Sequence, residues 1–287
     1  MEDLAVAVHG LSKRYGDQVA VDNIDLEVRT GECFSLLGPN GAGKTTTVEI
    51  LEGYRRRDRG DVQVLGEDPA HASARWRSRI GIVLQTATDV AELTVDEVVH
   101  HFATYYPRPR DPNRVIEAVG LTEKRANRTR TLSGGQRRRL DVALGILGDP
   151  ELLFLDEPTT GFDPEARRQF WDLIDSLKAE GTTILLTTHY LDEAERLADR
   201  VAVIAGGQIV ARGTPQTLGR RAHGRASVSW REDGHLRHVE TESPTQTVLD
   251  LASRFDGEVP ELSVQRPRLE DVYLELIGAD DPIRVEK

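Results

Sequence analysis

The sequence has almost no cysteine: one, Cys33, in 287 residues. A single thiol rules out an internal disulfide and leaves a thiolate metal site without companions. Cys33 sits inside a short apolar run, the setting of a buried structural thiol. Long hydrophobic runs are missing too, and none approaches the ~18 apolar residues of a membrane-spanning helix. The N-terminus, MEDLAVAVHG, is acidic and lacks the basic and apolar regions of a secretory signal. These absences predict a cytosolic chain whose membrane role, if any, runs through a partner. Basic charge is in deficit: 37 Lys and Arg stand against 48 Asp and Glu, a net charge of −11. With no cationic excess to neutralise phosphates, a general nucleic-acid binder is disfavoured. Internal repeats and low-complexity segments are absent as well.

What is present suits a folded domain. Hydrophobic residues make up 38% and charged residues 30% of the chain, a soluble globular balance. The length allows one large domain, or one domain with a small appendage. Residues 4–8 (LAVAV) and 19–28 (VAVDNIDLEV) alternate as strands of an antiparallel layer. CFSLL (33–37) is a continuous apolar run, the mark of a strand buried on both faces. RIGIVL (79–84), LLFLD (152–156), TILLTT (183–188) and RVAVIA (200–205) read the same way. Helical patterns at 44–53, 164–180 and 190–199 alternate with them, which implies a mainly parallel sheet in an α/β domain. Residues 94–148 carry helical patterns and no strand, as a helical insertion would.

The tail reads as a separate α+β unit. Residues 222–287 hold 8 basic and 14 acidic side chains, about half of the whole acidic excess. ASVSW and LRHVE flank Asp233-Gly234, a hairpin turn signal. Ser243, Pro244 and Gly257 read as N-cap, first helical residue and terminator of a helix. Leu269, Val272, Tyr273 and Leu276 form a one-faced helical pattern.

Gly38-Pro39-Asn40-Gly41-Ala42-Gly43-Lys44-Thr45 fits the phosphate-loop pattern G-x-x-x-x-G-K-[ST]. Glycines let backbone N–H groups curve around phosphate oxygens, and the following helix adds its positive end. Lys44 supplies a mobile cation for the β- and γ-phosphates, and the Thr45 hydroxyl suits Mg²⁺. The alternative is a glycine turn between a strand and a helix, but the full pattern after a buried strand and at the start of a helix is the context that a phosphate loop requires. LLFLDEP (152–158) ends an apolar strand in two carboxylates at the sheet edge where open α/β sheets bind ligands. Asp156 there suits Mg²⁺, through water, and Glu157 suits a general base or water-positioning role. LSGGQ (132–136) opens a helix carrying Arg137, Arg138 and Arg139. Read alone, it is an ordinary N-cap before an amphipathic helix.

In this order, GPNGAGKTT, LSGGQ and LFLDEPTTGFDP resemble the nucleotide-binding subunit of ATP-binding cassette (ABC) transporters, over roughly residues 4–215. The resemblance implies a P-loop ATPase fold with an antiparallel β layer and a helical subdomain at about 86–148. Residues 1–218 would be the nucleotide-binding domain and 222–287 a small accessory domain. It assigns ATP contacts to Tyr15 on the adenine and to Gly38, Asn40, Gly41, Ala42, Gly43, Lys44, Thr45 and Thr46 on the phosphates. Ser133, Gly134, Gly135 and Gln136 would meet the γ-phosphate of a second copy in a head-to-tail dimer, and Asp163 would communicate across it. Gln85 would reach Mg²⁺, with Thr45 and Asp156, and the attacking water. His189, in TTHYLDEAE, would contact the γ-phosphate. Catalysis falls to Glu157, His189, Lys44 and Gln85. Phe162, where leucine is usual, and RDRGDV (57–62) depart from the pattern but spare the chemical groups.

TTTVEILEGYRRRDRGDVQVLGED, LTVDEVVHHFATYY and RPRLEDVYLELIG resemble ATPases of bacterial drug, antibiotic, lipid or polysaccharide exporters, among them the daunorubicin-resistance type. Such subunits work peripherally at the cytoplasmic side of the membrane on separate permease subunits. The tail would hold two ATPase subunits together or modulate them. An importer ATPase is the alternative. A soluble relative acting on DNA or ribosomes would carry coiled coils or a second cassette, neither of which is here. A non-hydrolysing switch would commonly lack Glu157.

Overall fold

Five short apolar runs decide the architecture of a computed structural model that describes residues 3–83, 91–218, 226–255, 258–265 and 273. The chain divides into two compact units, residues 1–211 and 212–287.

The first unit opens with β1 (Leu4–Tyr15) and β2 (Gln18–Arg29), an antiparallel pair. Then come β3 (Cys33–Leu37), α1 (Lys44–Leu51) and β4 (Arg59–Val64), the last pairing antiparallel with β1. The chain continues through α2 (Ala74–Arg77) and β5 (Ile80–Val83). Three helices follow: α3 (Val95–Ala103), α4 (Pro112–Ala118) and α5 (Gly134–Ile146). β6 (Leu152–Asp156), α6 (Pro164–Ala179), β7 (Thr183–Thr188), α7 (Leu191–Leu197), β8 (Arg200–Ala205) and β9 (Gln208–Gly213) complete it.

The six-stranded sheet runs β5-β6-β7-β3-β8-β9, with β5 to β8 and β3 parallel to their neighbours. Its central strands are apolar throughout because both faces are covered. Alternation assigns the faces. Phe34, Leu36, Leu152, Phe154 and Leu185 join the antiparallel layer and α1 in one core. Cys33, Leu153, Leu155, Ile184 and Leu186 join α3 to α6 in the other. Cys33 is fully buried, and burial pushes its thiol pKa far up. Trp76 is also fully enclosed and donates from Nε1 to the Val64 carbonyl at 2.8 Å.

Local signals set the helix starts. Thr94 and Glu97 form a capping box at α3, and Asp163 accepts from Ala166 N at 2.7 Å with Pro164 next to open α6. Residues 94–148 contain helices and, among the described residues, only an isolated Thr94–Arg128 bridge. Helix α5 lies against β5 through two glycines. A Cβ on Gly81 would stand 2.2 Å from the Gly145 carbonyl, and one on Gly145 2.5 Å from Val83 Cγ2.

In the second unit, Ala226–Glu232 and His235–Thr241 form a hairpin, β10 and β11, on Asp233 and Gly234, both at positive φ as a type I′ turn requires. A helix over Pro244–Ala252 follows, and β12 (Ser263–Gln265) pairs with β10. Val228, Trp230, Leu251 and Val259 make its core. Ser243 departs from the expected cap: it occupies the cap position but its side chain makes no capping bond. Its φ of −122° and ψ of 67° put the hydroxyl off the capping geometry; its carbonyl instead accepts from Thr247. Gly257, Leu269, Val272 and Leu276 lie outside the described residues.

The glycine contact between β5 and α5 yields a stability prediction. Gly81→Ala forces the helix off the strand and costs about 1–3 kcal/mol, the scale of core overpacking. Urea unfolding of the variant checks it, and an unchanged midpoint contradicts the close contact.

Candidate active site

The site grows from three adjacent strand ends. β3 ends at Leu37, opposite Thr188 of β7, and Thr187 of β7 pairs with Asp156 of β6. Parallel strands in register deliver their C-terminal residues to one edge. Lys44, Glu157 and His189 follow those three ends.

Between β3 and α1 the chain makes the glycine loop. Gly43 has φ 104°, and a Cβ on it would stand 2.3 Å from the Ala20 carbonyl, so only glycine passes beside β2. Lys44, 5% exposed, donates to the carbonyls of Gly38 at 2.7 Å and Pro39 at 3.2 Å, and faces Glu157 Oε1 at 3.6 Å. Burial lowers the Lys44 pKa, while Glu157 and Asp156 oppose that shift. A cation at the first turn of α1, beside a glycine loop, is chemically suited to polyphosphate.

Asp156 ends β6 almost buried, and one of its oxygens accepts a hydrogen bond from the Thr187 hydroxyl. Glu157 follows with φ 44°, a left-handed conformation that costs a non-glycine residue about 1–2 kcal/mol. Its N–H donates to the carbonyl and hydroxyl of Thr187, both at 3.1 Å. The turn sends the Glu157 carboxylate back over the loop. There Oε1 also stands 3.2 Å from His189 Nδ1, which has no hydrogen-bond alignment to it. Glu157 is therefore a carboxylate between an ammonium and an imidazole.

A cavity of about 500 Å³ opens over the loop. It is lined by Tyr15, Gln18, Ala20, Pro39, Asn40, Gly41, Gly43, Lys44, Thr45, Thr46 and Glu157. Tyr15 is 40% exposed, with the Arg55 guanidinium 5.3 Å from its ring centre. Gly38 and Ala42 are buried and do not line the cavity. Ser133, Gly134, Gly135 and Gln136 stand apart from it at the start of α5. Ser133 and Gln136 cap that helix reciprocally, Gln136 N to Ser133 Oγ at 3.3 Å and Ser133 N to Gln136 Oε1 at 3.1 Å. Asp163 is exposed as the cap of α6. Gln85 lies outside the described residues. Phe162 is buried edge-on to Phe170 at 5.9 Å, and a Cβ on Gly135 would lie 3.8 Å from its ring.

Four contributors carry no signal in the sequence. Gln18 and Ala20 sit in an alternating strand whose pattern says nothing of a ligand. Thr187 looked like one more residue of TILLTT. Arg138, inside the arginine run, is 7% exposed and bonds the main chain on both sides of Glu157. No one-dimensional pattern marks which of three arginines turns inward.

The ABC transporter family pattern matches residues 21–160. The daunorubicin resistance ATP-binding protein DrrA3 of Streptomyces coeruleorubidus is 37% identical over 99% of both chains. The Nod factor export ATP-binding protein I of Ralstonia nicotianae is 47% identical over 74% of this chain and 68% of its own. Among solved structures, an ATP-binding subunit of an ABC transporter matches with TM-score 0.69 at 28% identity, over 77% of this chain and 93% of that one. A dimeric bacterial ABC transporter cassette shares the fold, with TM-score 0.65 at 23% identity, over 73% of this chain and 98% of its own. No helix among the described residues is long and apolar enough to cross a membrane. The chain belongs to the ABC transporter family, as an ATP-binding and ATP-hydrolysing subunit of its exporters.

Proposed function

We propose that two copies of this chain pair head to tail around two ATP molecules and drive efflux through separate permease subunits, from the cytoplasmic side of the membrane. The observation that carries the chemistry is the Glu157 carboxylate at the wall of the loop cavity, standing between Lys44 and His189. The relatives' names, drug resistance in one and Nod factor export in the other, support a drug, antibiotic, lipid or polysaccharide as cargo. Residues 1–218 serve as the nucleotide-binding domain, with 86–148 as its helical subdomain and 222–287 as the accessory domain.

In this reading the loop amides and Lys44 hold the β- and γ-phosphates, and Tyr15 stacks on the adenine. Ser133 to Gln136 lie at an exposed helix start away from their own cavity, which fits service to the γ-phosphate of a second copy, with Asp163 communicating across the interface. Glu157 takes the proton from the attacking water, and His189 holds the γ-phosphate beside it. Gln85 positions that water. Glu157 needs no large movement, since its carboxylate already faces the loop.

The donor set also fits Mg²⁺, a hard cation that takes oxygen ligands and keeps most of its waters and phosphate oxygens. Thr45 offers a hydroxyl at the cavity wall, and Asp156 a carboxylate of which one oxygen is engaged by Thr187. Thr45, Asp156 and Gln85 would hold the ion, and bound there it would offset the phosphate charge.

Three variants test the assignment. Glu157→Gln retains ATP binding and ATP-dependent dimerisation but hydrolyses at least ~10²-fold more slowly, the scale of a lost general base. Lys44→Ala loses ATP binding or turnover. Native turnover by Glu157→Gln would remove the base from this account. Gly135→Asp impairs hydrolysis while leaving the monomer's affinity for nucleotide intact, as read by a fluorescent ATP analogue. Selective loss of monomer affinity would contradict the head-to-tail pairing.

A further inference from the structure

Arg138 lies on α5, two residues beyond the LSGGQ segment, and is buried to 7% exposure. A guanidinium so far from water needs partners, and its donors reach carbonyl oxygens of the neighbouring active-site loop. Nη2 donates to the Asp156 carbonyl at 2.6 Å and Nε to the Pro158 carbonyl at 3.1 Å. These two carbonyls bracket one residue, Glu157. The planar fork of an arginine fixes two acceptors at once, which a lysine's point charge cannot do. Burial lowers its pKa, while the nearby acidic groups of Asp141, Asp156 and Glu193 oppose that shift.

Glu157 needs such support. It is in the left-handed region at φ 44°, a conformation that persists only where its surroundings over-determine it. Thr187 holds the Glu157 N–H from the β7 side. Arg138 holds the flanking carbonyls from the α5 side. Relaxing either grip lets the peptide rotate toward an ordinary extended conformation and swings the carboxylate away from Lys44 and His189. Helix α5 is itself fixed against β5 by the Gly81 and Gly145 contact, so the clamp has a rigid base.

We propose that Arg138 is the positioning residue of Glu157: it locks the strained loop in the conformation that aims the carboxylate at the phosphate site, and ties that aim to the helix that presents LSGGQ. The proposal rests on the general-base reading of Glu157. The helix whose first turn meets the partner copy's ATP in that reading thereby also holds the base of its own chain, so displacement of α5 disarms hydrolysis without removing any group that touches ATP.

The test is a double-mutant cycle in the full-length chain, read by single-turnover ATP hydrolysis. Arg138→Met keeps the apolar stem and removes both clamps. It lowers the hydrolysis rate at least ~10-fold, a scale set by misplacement of a catalytic group, and leaves the KM for ATP within about twofold. Arg138→Lys keeps one donor and gives an intermediate rate, and stands in if Arg138→Met fails to fold. Combined with Glu157→Gln, either substitution causes no further loss, because the group it positions is already gone. A loss that multiplies in the double variant, as general loosening of the fold would give, overturns the proposal, and so does a native rate in Arg138→Met. Native turnover by Glu157→Gln alone overturns the general-base reading first and the Arg138 role with it.

Discussion

The structure turns on one buried cation. Lys44 sits at 5% exposure where α1 begins, and an ammonium taken from water costs several kcal/mol unless its surroundings replace the hydration. Two loop carbonyls and the Glu157 carboxylate do so. That constraint reaches back into the sheet. Leu37 must stand opposite Thr188, and Asp156 opposite Thr187, for the lysine, the glutamate and the histidine to emerge at one edge. A register slip in either pair would separate them and leave the ammonium unpaired.

The second demand is on Glu157. An ordinary strand continuation would send the residue after Asp156 to the opposite face. The left-handed turn brings both carboxylates to the same neighbourhood, at the cost of local strain. That strain is tolerable because β7 and α5 grip the peptide from two sides. Electrostatics and packing thus meet in one residue, held by the sheet on one side and by the helical region on the other.

The core strands were legible because burial on both faces leaves a signature in composition alone: CFSLL, LLFLD and TILLTT are nearly pure apolar or small. Strands β4, β9 and β12 were not, since half-exposed edges such as RGDVQV and QIVARG mix charge into the pattern. The glycine loop and the Asp156-Glu157 pair were readable from spacing, because phosphate binding dictates residue types at fixed offsets. The bonding of Arg138 was invisible, because it depends on which way a helix faces. Ser243 had the composition of a cap and not its geometry; a cap needs the right φ and ψ as well as a hydroxyl. The separation of Ser133 from Lys44's own cavity could be expected only through the family resemblance, since nothing local in LSGGQ says whose phosphate it serves.

The central claim is that each ATP lies between Lys44 of one copy and Ser133 of the other. Mixing Lys44→Ala with Ser133→Arg protein tests it most directly. In a head-to-tail dimer, the mixed pair concentrates both lesions in one site and leaves the other native. ATPase activity of the mixture should therefore rise well above either variant alone, toward about a quarter of native, since half of the dimers are mixed and half of their sites intact. Activity that stays at the level of the separate variants would contradict a site shared between two chains.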